Sequence, residues 1–168
     1  PCLTDACPPR PPHPPAGADP GPASVWTQTG ATGSQLAAGA ARHDAVVLMD
    51  PFFRGLLASA KRTRLFLEEV GSRRIRALLD PANLLEVNDL DEMFSQLGPH
   101  IDCLHAKDRK LHVDRGVPAG QGDLDYLQFV QLATRRTPDA PFILEYVGPA
   151  DFRQAQRHLR DTLRRATE

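Results

Sequence analysis

Four short apolar runs, AVVLM (45–49), IRALL (75–79), IDCL (101–104) and PFIL (141–144), alternate with longer stretches whose apolar residues fall at helical spacing. No other feature constrains the fold as much. The helical stretches are 59–70, with Leu65, Phe66 and Leu67; 89–97, with Leu90, Met93, Phe94 and Leu97; 126–134, with Leu127, Phe129, Val130 and Leu132; and 149–166, with Phe152, Ala155, Leu159 and Leu163 on one face. The order β-α-β-α-β-α-β-α predicts a parallel sheet with right-handed crossovers. In such sheets, open or closed into a barrel, the active site forms at the carboxyl ends of the strands.

The ends of these runs carry a pattern of their own. Asp50, Asp80, His105 and Glu145 each stand where a run stops, and three oxygen donors with one nitrogen donor are a ligand set for one divalent cation. Asn83 follows Asp80 in LLDPANLL, and Lys107 and Asp108 follow His105 in CLHAKD. The next loop, DRGVPAGQGDLDY, offers Gly116, Gly120 and Gly122 for close backbone approach and Arg115 as a planar donor to hydroxyl, carboxylate or phosphate. Simpler roles exist for each: Asp80 before Pro81 as a cap, Asp50 before Pro51 as a turn residue, His105 as a structural histidine, Lys107 with Asp108 as a surface ion pair, and Arg115 as a solvated side chain.

Composition narrows the class. The 168 residues suffice for one domain, and 41% hydrophobic with 24% charged residues is ordinary for a soluble globular protein. A formal net charge of -1 gives no field that would draw nucleic acid or an anionic membrane. No apolar span of about 18 residues is present, so no membrane helix is expected. Cys2, Cys7 and Cys103 match neither a disulfide framework nor a zinc spacing, which points to a reducing, cytoplasmic setting. Residues 1–42 are dominated by Pro, Ala, Gly, Ser and Thr and read as a disordered leader, with 24–41 the one stretch able to form a frayed helix and Trp26 a residue that could dock. Residues 43–168 read as the folded part.

Taken together, LLDPANLL, LHAKDRK, GVPAGQGDLDY and FILEYV resemble the C-terminal half of the sugar phosphate isomerase/epimerase group, the xylose isomerase-like TIM barrels. The resemblance implies a (β/α)₈-type fold of which the last four βα units are present. It implies a divalent metal, manganese, magnesium, cobalt or zinc, held by Asp50, Asp80, His105 and Glu145. Asp50 and Glu145 would then be the two proton-transfer groups, with Asn83, Lys107 and Arg115 binding substrate oxygens. MDPFFR resembles the family's Glu-Pro-x-x-Arg pattern, so Arg54 also has a counterpart, and Asp50 stands where the family has the longer Glu. The implied reaction is isomerisation or epimerisation of a small sugar, sugar phosphate or hydroxy-ketone through an enediolate. A dehydratase or an endonuclease on the same barrel is the alternative chemistry, and a silent barrel fragment the non-enzymatic one. Because a barrel takes about 250 residues and eight strands, the resemblance also implies pairing with a missing N-terminal half or with a second copy, or poor solubility from the open edges.

Overall fold

The first turns of the helices are fixed by side chains that the sequence places just ahead of them. Ser59, Asp80, Asp89 and Asp125 each accept a hydrogen bond from the backbone N–H three residues on, satisfying a donor that a helix start leaves unpaired. The computed structural model describes residues 22–113 and 115–168. In chain order these form α1 (Pro22–Arg42), β1 (Val47–Met49), α2 (Ala60–Val70), β2 (Ile75–Leu79), α3 (Pro81–Leu84), α4 (Leu90–Leu97), β3 (Ile101–Arg109), β4 (Gly116–Pro118), α5 (Tyr126–Arg136), β5 (Phe142–Leu144) and α6 (Phe152–Ala166), with a 3-10 turn, Gly98–His100, ahead of β3.

Four strands run parallel in the order β1-β2-β3-β5, and β4 folds back antiparallel on the far end of β3. The sheet is open. Register sorts the side chains by face, since Leu48 pairs with Arg76, Leu78 with Cys103 and His105 with Ile143. The alternate residues, Ile75, Ala77, Leu79, Leu104 and Ala106, are buried and form the core with Phe66, Leu67, Met93, Phe94, Leu97, Phe129 and Val130 of the helices. One face therefore carries the packing. The other carries His105 and leads into the polar strand ends.

Three expectations need correction. The leader predicted over 1–42 is a helix from Pro22 to Arg42, while the rest of that prediction, 1–21, lies outside the described residues. Its composition suits close packing rather than disorder: Gly33 lies so near α2 that a Cβ would collide with Val70 and Phe66, and Trp26 packs against the core under the Arg62 guanidinium. The hydroxyls of Thr27, Thr29, Thr32 and Ser34 donate to carbonyls one turn back, so its polar residues are satisfied within the helix. Second, β3 does not stop at Leu104 but runs to Arg109. Third, α3 and β4 were not read from the sequence at all. No helix among the described residues is long and apolar enough to cross a membrane.

Candidate metal centre

Asp80 is the hinge between fold and site. As N-cap of α3 it accepts the Asn83 N–H through Oδ1 at 3.3 Å, which leaves Oδ2 free to face the strand ends. The cap reading of this residue is therefore seen directly, and the same carboxylate keeps a second oxygen toward the candidate site. From β3, His105 Nδ1 lies 3.6 Å from Asp80 Oδ2, 3.5 Å from Glu145 Oε2 and 3.8 Å from Asp50 Oδ2. One donor atom each from Asp50, Asp80 and His105 lie within 4.8 Å of one another. The shorter Asp50 thus still reaches the cluster.

Asn83 and Lys107 join the same network. The Asn83 amide donates to Asp50 Oδ1 at 3.1 Å, and its carbonyl oxygen accepts from Lys107 Nζ at 3.0 Å. Lys107 Nζ also lies 2.7 Å from Asp80 Oδ2 and 2.8 Å from Glu145 Oε2, with only 7% of its side chain exposed. Those two contacts are ion pairs by distance but fall off the hydrogen-bond axis. Asp80 Oδ2, His105 Nδ1 and Glu145 Oε2 consequently stay buried with no hydrogen bond of good geometry. Such groups are costly unless something else satisfies them.

The electrostatics follow from this crowding. Burial, then the neighbouring Asp80 charge, pushes the Asp50 carboxyl up to about 6, against the opposing pull of the Asn83 hydrogen bond, His105 and Lys107. His105 is raised chiefly by its contact with Asp80, with Glu145 and Asp50 adding to it and burial opposing. Burial works against the Lys107 charge, but Asp80 and Glu145 outweigh it and leave the ammonium harder to deprotonate than usual.

The structure does not bring Arg115 to this cluster; it stands exposed on the loop before β4, with no hydrogen bond or ion pair to the cluster's described residues. Arg54 stacks on Phe53, 5.2 Å from the ring centroid. Several contributors were not read from the sequence. Tyr126 donates its hydroxyl to the Lys107 carbonyl at 3.0 Å, Tyr146 places its ring 4.8 Å from Lys107 Nζ, and the buried Arg109 guanidinium lies 4.6 Å from the Phe53 ring. Asp108, read as half of a surface pair, is buried and accepts backbone N–H groups from Arg109 and Leu124.

Three carboxylates and an imidazole gathered on one side of the sheet, with buried polar atoms left without a hydrogen bond, make a candidate divalent-cation site. The chain belongs to the family of xylose isomerase-like TIM barrels, whose model matches residues 9–162. That match also starts well before the boundary at residue 43 read from composition. Among solved structures, the chain is similar to a D-tagatose 3-epimerase-like protein (14% identity, 86% of this chain and 56% of that one, TM-score 0.75). It is similar as well to the probable 3-DHS dehydratase AsbF of Bacillus anthracis (20% identity, 90% and 59%, TM-score 0.66). A third is a xylose isomerase-like TIM barrel protein of Mycobacterium smegmatis in complex with magnesium (17% identity, 89% and 52%, TM-score 0.66). The chain spans little more than half the length of these structures. No curated protein sequence matches it.

Proposed function

We propose that the chain is a metal-dependent isomerase or epimerase of a small sugar, sugar phosphate or hydroxy-ketone, moving a proton beside a carbonyl through an enediolate. The convergence of the buried, unsatisfied Asp80 Oδ2, His105 Nδ1 and Glu145 Oε2 carries this reading. Asp50, Asp80 and His105 bring one donor atom each within reach of a single ion, Glu145 Oε2 stands 3.5 Å from His105 Nδ1 as a further donor, and oxygen-rich ligation with one imidazole suits manganese, magnesium or cobalt as well as zinc. When bound, such an ion acidifies the C–H beside a carbonyl and stabilises the negative charge that develops.

The chain's own groups supply the proton traffic. Asp50, raised to about 6, sits close enough to neutrality to take a proton and release it again. Glu145, across the cluster on β5's end, is the partner that returns it. Asn83 fixes the Asp50 carboxylate by its 3.1 Å hydrogen bond, and the Lys107 ammonium, in contact with Asp80, Glu145 and Asn83, stands beside the site as the group that would orient a substrate oxygen. Arg115 would reach a substrate only from the loop outside the cluster.

Dehydration is the second reading, favoured by the similarity to a dehydratase, because it begins with the same proton abstraction and ends with loss of a β-hydroxyl. The test is exchange of the substrate's C–H with solvent deuterium, followed by NMR over a panel of ketoses and ketose phosphates with manganese present. Exchange that is lost in Glu145→Gln is expected. No exchange with any member of the panel would overturn the proposal, and appearance of an enone product would favour dehydration.

A further inference from the structure

Lys107 is an odd neighbour for a metal pocket, since its ammonium already touches two of the oxygens a cation would need. It donates a hydrogen bond to Asn83 Oδ1 at 3.0 Å and lies in ion-pair contact with Asp80 Oδ2 at 2.7 Å and Glu145 Oε2 at 2.8 Å. Without a metal, this ammonium is the charge that makes the carboxylates tolerable under burial. We propose that Lys107 is the resident counter-ion of the cluster, competing with the divalent ion for Asp80 and Glu145, and that metal loading releases its ammonium toward the mouth, where it holds a substrate oxygen. This rests on the metal-dependent reading above.

Three observations support an exchange rather than a permanent bond. The contacts to Asp80 Oδ2 and Glu145 Oε2 are short but poorly angled, so they are held by charge more than by directed hydrogen bonds. The ammonium also has a partner outside the carboxylates, because the Tyr146 ring, 48% exposed at the end of β5, already lies 4.8 Å from Nζ and offers a cation a contact it can keep when it leaves Asp80 and Glu145. The stem, meanwhile, is anchored. Gly116 on β4 lies so close to the Lys107 methylenes that a Cβ would crowd them, and Tyr126 holds the Lys107 carbonyl at 3.0 Å, so the backbone stays fixed while the ammonium changes partner.

Charge arithmetic agrees with the two tasks. Asp50, Asp80 and Glu145 contribute three negative charges when ionised; one divalent ion and one ammonium cancel them. Without the metal, the Lys107 ammonium is the cation that touches Asp80 and Glu145. With the metal in place Asp80 and Glu145 gain a second cation, so the ammonium can turn toward a substrate oxygen while the cluster as a whole stays neutral.

The experiment is manganese titration by calorimetry into the metal-stripped full chain, comparing wild type, Lys107→Met and Lys107→Gln, with thermal melts of each at zero and saturating manganese. Competition predicts that both variants bind manganese at least about tenfold more tightly than wild type, and that their melting temperatures rise more on adding it. If Lys107→Met does not fold without metal, refolding on manganese, read by circular dichroism, meets the same expectation. Wild type that binds while both variants bind equally or more weakly would overturn the competition and leave the metal reading standing. Absence of binding in all three, up to millimolar manganese, would overturn the metal reading itself.

Discussion

At Asp80 the two carboxylate oxygens do separate jobs, and substitutions can separate them. Asn at this position keeps an oxygen for the Asn83 N–H while removing the charge, so Asp80→Asn is expected to weaken manganese binding by tenfold or more while the cap of α3 is retained. Asp80→Ala loses both, with a further loss of about 1 kcal/mol from the missing cap. Calorimetry with urea melts of the two variants checks this. Protons compete at the same site. A bound cation needs Asp50 ionised and His105 neutral, and both groups hold their protons more tightly than usual in the metal-free chain, Asp50 to about 6. Manganese affinity should therefore be high above neutrality and fall as pH drops through about 6, with proton release on binding largest in that window. Titrations in buffers of different ionisation enthalpy measure it. The four ligand candidates were legible because each ends an apolar run, where an acid or imidazole has little reason to stand unless it is used. Asn83 was read as a substrate contact, and its place as a bridge between Asp50 and Lys107 was not, because that bridge depends on how α3 turns relative to β3.

Elements were legible where burial enforces a period and illegible where small residues or polar networks replace it. β2 was read with its observed bounds because alternate residues of IRALL pack into the helix layer. β3 was cut short at Leu104 because AKDR looks like solvent-facing sequence, yet Lys107, Asp108 and Arg109 are all buried and partnered. α1 was read first as a disordered leader, with a helix over 24–41 and docking of Trp26 as the alternative that the structure shows: its Gly and Ala residues signal disorder when isolated and close helix contact when a partner is present. That contact is testable. Gly33→Val adds branched bulk where Val70 and Phe66 already sit, and overpacking of this kind costs about 1–3 kcal/mol. Urea denaturation should show that loss for Gly33→Val and little change for Gly39→Ala, whose nearest neighbour is a flexible arginine end.

Across the whole molecule, the helix layer covers one face of the sheet and leaves the other less protected. Leu48 and Ile143, on the strands at either side of the parallel set, are 37% and 49% exposed. β1 pairs only with β2 and β5 only with β3 among the described residues, so each presents a free edge of unpaired backbone groups. The 168-residue chain in isolation should accordingly self-associate, seen as a mass above 18.4 kDa that grows with concentration in light scattering. Ile143→Lys should reduce that growth. A monodisperse monomer at all concentrations would contradict the expectation. From sequence, the α/β class and parallel order were legible because four runs alternate with four helical stretches. The open edges were expected from the count of four strands, whereas the antiparallel β4 was not, since GVP carries no alternation of apolar and polar residues.

The alternation of side chains along each strand has one more consequence. Ile75, Ala77, Leu79, Leu104 and Ala106 serve packing, whereas His105, Lys107 and the residues just beyond the strand tips gather at the candidate site, and the two sets interleave without sharing positions. A lineage can then exchange the reactive residues without renegotiating its core. Solved structures named for an epimerase and for a dehydratase, each 20% identical or less to this chain, can share its backbone for that reason.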